Sequence, residues 1–334
     1  MDKLKVSFVV IALNAAKTIN TVFDCLARQT YSHEDIEVIL VDGLSTDDTK
    51  EKMILFSKQD YGFDRVSILD NPGKTLPCGW NVALKDVRGD AVLRVDAHTS
   101  FPEDFIALNV RDLDRGESIC GGKVISIPAE KTPWSTMLNE AENSMFGGSF
   151  AAFRHADTER YVSTAAFAMY RKNVFDEVGP YNEELARTED NEMHYRMKKA
   201  GYRFFYDPMI VSYRETRATL LKLLKQKYLN GYWIGRTLGV EPRCFSVYHF
   251  VPFVFVAAIL VTAIMACCGM IWAAILLWGA YLLANLSMTA AAFPKVKSIC
   301  GLLLPVVFLL LHLSYGCGTA VGIAGMIYRK LRKH

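Results

Sequence analysis

Asp96 and His98 follow the apolar run AVLRV, residues 91–95, and their types and spacing suggest chemistry. Two residues apart in a strand, a carboxylate and an imidazole project from the same face. One interpretation is a site for a divalent cation, since Mn²⁺ accepts both ligand types while Mg²⁺ prefers oxygen. Two protein ligands would leave coordination positions free for phosphate oxygens. The alternative is a polar strand end that faces solvent, and these two residues leave both interpretations open.

Two other carboxylates lie where a ligand could reach them. Asp42 ends the run EVILVD and precedes a turn, so it is placed to accept hydrogen bonds from a nucleotide's base or sugar. Asp190 lies at the start of a predicted helix over residues 188–200. Acidic residues there are often partners of the helix dipole, but the positive helix end also keeps a carboxylate ionised, which suits a general base. Glu192 and His194, further along, are expected on the helix surface.

The elements that position these residues follow from the hydrophobic pattern. Short β-branched runs alternate with helical patterns between residues 5 and 126, which predicts a mostly parallel, Rossmann-like α/β sheet with right-handed crossovers. Ligands of such sheets bind beyond the carboxyl ends of the strands. Four polar residues follow successive predicted strands and so indicate a site: Asn14, Asp42, Asn71 and Asp96. A further strand is expected near residues 161–170, and a mobile segment over the site within 127–160.

The charge distribution separates the chain into two parts. All 35 acidic residues lie before Cys244, and residues 1–243 carry 32 Lys and Arg. This balance lacks the basic stripe that nucleic-acid binding requires. Residues 244–294 contain no charge at all. Because a membrane helix needs about 20 apolar residues, this stretch predicts spans at about 247–266 and 270–290.

A third uncharged stretch covers residues 298–328. It predicts either a single tilted span or a re-entrant hairpin broken near Pro305 or Gly316–Gly318, which would keep the flanking basic residues on one side. His312 within it is expected to hydrogen-bond between helices. The apolar run at residues 6–13 is too short for a signal peptide and is interpreted as a buried strand. We therefore predict a multi-pass protein of the cell membrane whose amino-terminal domain faces the cytosol.

The chain resembles family-2 glycosyltransferases of the GT-A fold, and most of all the membrane-anchored enzymes of exopolysaccharide assembly, the succinoglycan glucosyltransferase group. The resemblance covers residues 5 to about 238 through an ordered series of motifs: VSFVVIALN, EVILVDGLSTDDT, NPGKTLPCGWNVAL, GDAVLRVDAHT, FAMYRKNVFDEVGPYNEEL and TEDNEMHYRMKKAGYRFFYDP. It implies a nucleotide diphosphate sugar donor, commonly a UDP-sugar, and a divalent cation, Mn²⁺ or Mg²⁺.

The resemblance also assigns roles to residues. Asp96 and His98 would occupy the metal-binding Asp-x-Asp position, and Asp190 would be the base of an inverting transfer. Donor contacts are expected from Asn14, Asp42, Lys74, Asn81 and Asp96. The acceptor entrance is expected at Glu189, Gln226 and Trp233.

The chain departs from the family pattern at several positions. Ile11 and Ala15 replace the usual Pro and Glu around the first-strand Asn, and His98 replaces the second carboxylate of the Asp-x-Asp motif. The Gln-x-x-Arg-Trp motif of processive synthases is absent from the sequence, which predicts one sugar added per encounter.

These observations predict three regions and a function. Residues 1–216 form a cytosolic GT-A catalytic domain, residues 217–243 an amphipathic helix at the membrane interface or packed on its own domain, and residues 244–334 the membrane region. The predicted activity is a hexosyltransferase that uses a lipid-linked or polysaccharide-precursor acceptor beside membrane lipids. The alternative is a catalytically silent membrane subunit that binds nucleotide sugar. A nucleotidyltransferase is disfavoured because ALNAAKT lacks a Gly-rich basic loop.

Overall fold

The computed structural model describes residues 3–128, 130–148 and 156–332. The chain forms two compact units, and each unit is built from two separate stretches of the sequence. Unit 1 consists of Met1–Ile125 and Ala151–Glu215, and unit 2 of Ser126–Phe150 and Thr216–His334. The predicted division at residues 216 and 243 stays a prediction.

The elements are given in chain order. The strands are β1 Val6–Ala12, β2 Ile36–Asp42, β3 Arg65–Asp70, β4 Ala91–Asp96, β5 Thr99–Ser100, β6 Ile119–Pro128, β7 Arg160–Val162, β8 Met169–Arg171 and β9 Phe204–Thr216. The helices are α1 Ile19–Ala27, α2 Thr49–Ser57, α3 Leu76–Asp86, α4 Phe105–Asp114, α5 Pro133–Asn143, α6 Lys172–Val178, α7 Glu189–Lys199, α8 Leu220–Thr237, α9 Val251–Cys267, α10 Ile271–Val296 and α11 Leu304–Arg332.

The sheet is parallel on one side and antiparallel on the other. Its order across the described residues is β3-β2-β1-β4-β8-β6-β9-β5, with β7 paired to β9. The four strands β3, β2, β1 and β4 are parallel, whereas β8 is antiparallel to both of its neighbours. This mostly parallel sheet, followed along the chain by long apolar helices, is the predicted GT-A fold class, which is confirmed.

The structure differs from two expectations for residues 127–170. The single strand expected near residues 161–170 is wrong: β7 and β8 are separate, because Phe167 has a φ of 50° and this left-handed conformation interrupts an extended chain. Part of the expected mobile segment forms α5, where the Thr132 hydroxyl accepts from the Ser135 N–H at 3.1 Å and Pro133 occupies the first turn. Residues 129 and 149–155 of that segment lie outside the described part.

Both faces of the parallel strands are buried. Phe8, Val38 and Leu93 belong to the apolar cluster on one face, whereas Val9 and Val92 belong to the cluster on the other. Burial on both faces explains why each strand is a nearly continuous apolar run. Helices α3 and α7 contribute to the second cluster with the side chains Trp80, Ala83, Met193 and Met197. Arg94 and Asp96 lie on that face of β4, since they alternate with Leu93 and Val95 of the first cluster.

In unit 2, glycines bring α8 and α11 together. Gly231 and Gly235 on α8 repeat at a four-residue spacing, as do Gly318 and Gly322 on α11. A Cβ atom on Gly322 would lie 2.1 Å from the Tyr232 carbonyl oxygen. Only residues without side chains permit such an approach, which is common between helices in membranes. The interface location predicted for the amphipathic segment stays a prediction.

Three helical segments are long and apolar enough to cross a membrane: Val247–Cys267, Ile271–Val296 and Ile299–Arg332. The third shows no break at Pro305 or at Gly316–Gly318, so the hairpin broken at these positions is not formed, and the single tilted span stays a prediction. Pro305 lies in the first turn of α11, where its missing N–H costs no hydrogen bond. Gly316 remains helical and lies against α9, since a Cβ atom there would be 2.3 Å from the Pro252 carbonyl oxygen.

Residues 144–148 are held by the helices of unit 2. His312 Nε2 donates to the Phe146 carbonyl oxygen at 2.6 Å, and Lys227 Nζ donates to the Gly147 carbonyl oxygen at 2.9 Å. The other ring nitrogen of His312 lies 3.1 Å from the Tyr281 hydroxyl. His312 therefore joins α11 to α10, which confirms its expected hydrogen bond between helices, and it also binds the turn after α5.

Candidate functional site

Asp42 and Asp96 end the two strands on either side of β1. In the parallel ladders, Asp42 is the partner of Ala12, and Asp96 is the partner of Ile11. They are thus separated by two strand spacings, about 10 Å. Both lie at the carboxyl edge of the sheet, where the sequence pattern predicted a ligand site.

The loops after β1 and β2 are tied to each other at this edge. Asn14 has a φ of 51°, and its side-chain oxygen accepts from the Thr46 N–H at 2.8 Å. The Asn14 N–H donates to the Ser45 hydroxyl at 2.9 Å. Asp42 is 1% exposed, and its carboxylate accepts from the Ser45 N–H at 3.1 Å. Asn14 and Asp42 therefore shape one rigid rim, and their donor contacts stay predictions.

The loop between β3 and α3 leads into the same edge. The Asn71 N–H donates to the Asp42 carbonyl oxygen at 2.7 Å, which ties the end of β3 to the end of β2. Lys74 is exposed in the following turn, with a φ of 56°. Two buried oxygens of this loop have no hydrogen-bond partner among the described residues, Asn71 Oδ1 and Thr75 Oγ1. Buried polar atoms without partners are costly, and these two lie in the loop that leads to the predicted ligand edge.

Asn81 clamps a neighbouring loop. Its side-chain oxygen accepts from the Tyr181 N–H at 2.8 Å, and its amide nitrogen donates to the Tyr181 carbonyl oxygen at 2.9 Å and to Glu183 at 2.8 Å. Asn81 therefore fixes Tyr181, a role the sequence did not suggest. Its predicted contact with the donor stays a prediction.

The end of β4 carries the candidate metal ligands. The strand stops at Asp96, and His98 lies in a two-residue turn before β5, so strand alternation does not govern its direction. Both side chains are half-buried. No group of three potential ligands occurs in the described ranges. The carboxylate of Asp96 fits a divalent cation that shares its coordination with substrate phosphates, since Mg²⁺ is commonly bound by one or two carboxylates in that way.

The first turn of α7 lies against the same strand. Glu189 Oε1 accepts from Arg94 Nη2 at 3.2 Å, and Arg94 is two residues before Asp96. The Asp190 carboxylate accepts from the Asn191 N–H at 2.8 Å and is half-buried. The structure thus brings Asp190 to the β4 end that carries Asp96. Asp190 as the base stays a prediction.

Glu189 is 2% exposed, because it is packed under the helix start. Burial and the neighbouring charge of Asp190 together raise the pKa of Glu189 to about 7, while Arg94 opposes the shift. Its predicted place at an acceptor entrance stays a prediction.

Glu192 and His194 are not on the helix surface, so that expectation is wrong. They are 7% and 2% exposed. His194 Nδ1 lies 2.7 Å from the Thr164 hydroxyl, and Nε2 lies 2.9 Å from the Tyr170 hydroxyl. Burial lowers the pKa of His194 to about 3, so the imidazole is neutral. These bonds fix α7, and hence Asp190, to the sheet.

Gln226 and Trp233 belong to α8 in unit 2. Gln226 Oε1 accepts from Arg217 Nε at 3.3 Å, and the Trp233 ring packs edge-on against Tyr232 with centroids 5.8 Å apart. Their predicted role at the acceptor entrance stays a prediction.

Comparison with known proteins identifies the class. The chain matches the family Glycosyl transferase family 2 over residues 7–179, and it belongs to this family. It is therefore an enzyme that transfers glycosyl groups.

Two relatives and one solved structure are similar to this chain. The succinoglycan biosynthesis protein ExoA of Rhizobium meliloti (strain 1021) is 29% identical over 233 residues, 68% of each chain. A dolichyl N-acetyl-alpha-D-glucosaminyl phosphate 3-beta-D-2,3-diacetamido-2,3-dideoxy-beta-D-glucuronosyltransferase of Methanococcus voltae is 24% identical over 93% of this chain and 95% of the relative. The mannosyltransferase PcManGT from Pyrobaculum calidifontis, in complex with GDP-Man and Mn²⁺, shares the fold with a TM-score of 0.61 at 18% identity, over 92% of this chain and 87% of that one.

Proposed function

We propose that this glycosyltransferase moves a sugar from a nucleotide diphosphate sugar, a UDP-sugar, to a lipid-linked or polysaccharide-precursor acceptor at the membrane, with inversion at the anomeric carbon. The names of two relatives support the acceptor class: one belongs to succinoglycan biosynthesis, and the other acts on a dolichyl-phosphate-linked sugar. Neither name identifies the sugar that this chain transfers.

One observation carries the proposal. Asp42 and Asp96 flank β1 at the carboxyl edge, and the ion pair between Arg94 and Glu189 joins the β4 end to the helix turn that contains Asp190. A nucleoside beside Asp42 would extend its diphosphate toward Asp96, since the two lie about 10 Å apart. A sugar beyond the diphosphate would then lie near Asp190.

The chemistry assigned to Asp190 is proton removal. Its carboxylate takes the proton of an acceptor hydroxyl, and that oxygen forms a bond to the anomeric carbon. The bond between the anomeric carbon and the phosphate oxygen breaks on the opposite face, and its electron pair leaves with the nucleoside diphosphate. Positioning and stabilisation of charge supply most of the rate enhancement of such a transfer.

Asp96 and His98 would hold the divalent cation, Mn²⁺ or Mg²⁺, on the diphosphate side of this edge. When bound, such a cation neutralises the charge that develops on the leaving diphosphate. The solved neighbour that contains GDP-Man and Mn²⁺ supports this assignment through the shared fold.

The apolar helices support a membrane location. The three candidate spans support a multi-pass protein of the cell membrane, and the proposal puts unit 1 on the cytosolic side, where nucleotide sugars are made. The absence of the Gln-x-x-Arg-Trp motif from the sequence supports transfer of one sugar per encounter.

The test uses the full chain in nanodiscs with MnCl₂, a lipid extract and a panel of nucleotide sugars. Release of nucleoside diphosphate and incorporation of sugar into lipid are both measured. Asp190→Asn is expected to lower transfer by about 10²- to 10⁴-fold, the usual contribution of a general base, while binding of UDP with Mn²⁺ is retained.

Asp176→Asn is the matched control, because this carboxylate is exposed and pairs with Lys172 one helix turn away. It is expected to leave transfer and UDP binding unchanged. Transfer at the wild-type rate by Asp190→Asn would remove Asp190 as the base. Retention of the donor's anomeric configuration in the product would overturn the inverting mechanism.

A further inference from the structure

A buried arginine lies between the two halves of the candidate site. Arg94 Nη2 and Glu189 Oε1 are 3.2 Å apart, and the two side chains are only 12% and 3% exposed. Arg94 is on β4, two residues before Asp96, and projects from the same strand face. Glu189 directly precedes Asp190 in the first turn of α7. The ion pair is therefore a side-chain link between the strand end that carries the predicted metal ligand and the helix turn that carries the predicted base.

The surroundings of Arg94 restrict its movement. Its guanidinium carbon lies 5.3 Å from the centre of the Trp80 ring, and its backbone N–H donates to the Ala168 carbonyl oxygen at 3.0 Å. The Trp80 ring in turn packs against Tyr181, with centroids 5.9 Å apart. Since Asn81 clamps both backbone groups of Tyr181, the guanidinium is enclosed by fixed groups.

The charges around Arg94 belong to the same site. Burial by itself would lower the pKa of this guanidinium, but nearby acidic groups outweigh burial and hold the pKa well above its ordinary value. Those groups are Tyr181, Glu189, Asp96 and Asp190. One buried cation is thus shared by the carboxylates to which the metal and base roles are assigned.

A second observation indicates more than structural support. Only one carboxylate oxygen of Glu189 is paired, and Glu189 Oε2 is buried without a hydrogen-bond partner among the described residues. An unsatisfied buried oxygen costs free energy, and a buried ion pair is by itself weak evidence for stability. Contacts that cost stability at a site are commonly retained for function.

We propose that Arg94 is a positioning residue for the transfer reaction. Its ion pair with Glu189 holds the first turn of α7 against the end of β4, and this contact sets the position of Asp190 relative to Asp96. The inference rests on the proposed function. Arg94 itself touches neither donor nor acceptor in this proposal.

Two readouts test it, and one is independent of catalysis. In Arg94→Met, hydrogen exchange of the amides in the first turn of α7 is expected to accelerate, because the turn loses its anchor. In the transfer assay, kcat is expected to fall by about 10²-fold, the cost of a misplaced catalytic group, with little change in the KM for the donor. Arg94→Lys is expected to recover part of kcat, since lysine keeps the charge but not the planar fork.

Arg65→Met is the matched control. Arg65 also pairs with a buried glutamate, Glu37, at 2.7 Å, but this pair lies at the amino end of β2 and β3. Its loss is expected to lower stability and leave kcat of the folded protein unchanged. Glu189→Gln with Arg94→Met is expected to be no slower than Arg94→Met alone, because the pair acts as a unit.

Two results would overturn the inference: unchanged exchange in α7 in Arg94→Met, or equal effects of Arg94→Met and Arg65→Met on kcat. If Arg94→Met does not fold, kcat and hydrogen exchange are measured in Arg94→Lys and Glu189→Gln instead. Wild-type kcat and wild-type exchange in both of these variants would overturn the inference. If exchange accelerates but the wild-type chain transfers no sugar, the proposed function fails and the positioning contact remains.

Discussion

A methyl group at Gly322 is expected to force α8 and α11 apart. An ideal Cβ there would lie 2.1 Å from the Tyr232 carbonyl oxygen, whereas ordinary van der Waals contact begins at 3.4 Å. The shortfall of 1.3 Å cannot be removed by rotating a side chain, because the neighbour is backbone. Overpacking of this kind costs about 1–3 kcal/mol, while replacing Gly by Ala in a helix contributes about 1 kcal/mol in the opposite direction.

Gly279→Ala separates these two effects. Gly279 lies inside α10, and a Cβ atom there would meet no atom within 4 Å. Gly279→Ala therefore gains helix propensity without the clash. The difference in the free energy of unfolding between Gly322→Ala and Gly279→Ala gives the packing cost, which we expect to be about 1–3 kcal/mol.

The assay is unfolding of the full chain in detergent, followed by far-ultraviolet circular dichroism as SDS is added. Gly322→Ala is expected to unfold at a lower SDS fraction than wild type, and Gly279→Ala at an equal or higher one. If Gly322→Ala were as stable as Gly279→Ala, the close contact between α8 and α11 would not exist in the folded protein.

Three other changes test the sheet unit. Burial lowers the pKa of His194 to about 3, so below about pH 6.5 this histidine binds a proton in the unfolded chain and not in the folded one. The free energy of unfolding therefore decreases as pH falls. In urea unfolding between pH 7 and 5, His194→Gln should show a smaller decrease than wild type. Burial raises the pKa of Asp112 to about 6, so the free energy of unfolding decreases as pH rises from the ordinary pKa of an aspartate to this raised value. Asp112→Asn should therefore become more stable relative to wild type as pH rises from 4 to 7. A stability difference between the two proteins that does not change with pH would refute the assignment. Asn81→Ala should cost about 1–3 kcal/mol for each buried hydrogen bond lost to Tyr181; thermal unfolding measures this, and wild-type stability would contradict the clamp.

The parallel strands were predictable because a strand that is buried on both faces has apolar side chains at consecutive positions. β1, β2 and β4 are apolar at nearly every position, and the polar residues that end them mark the edge. The antiparallel strands were harder to predict. β7 and β8 contain three residues each, too few for a period to show, and the left-handed Phe167 between them has no distinctive sequence signal.

Arg94 was missed although its signal is present in the sequence. An arginine within AVLRVD stands in a strand buried on both faces, and arginine is almost never fully buried unless it is paired. Its partner, Glu189, lies 95 residues further along the chain, so the pair could not be inferred from spacing. The burial of His194 was missed for the same reason, because its partners Thr164 and Tyr170 lie on other elements.

The interleaving of the two units has a consequence for the order of synthesis. Residues 133–148 leave the ribosome before α8, α10 and α11, yet Met137, Leu138 and Ala141 of α5 are buried only in the cluster that those later helices complete. The nascent chain must therefore keep this apolar helix uncovered while the rest of the sheet is still being made. A truncation that ends at residue 216 would leave it uncovered permanently, so a water-soluble fragment needs α5 to be redesigned as well as the tail to be removed.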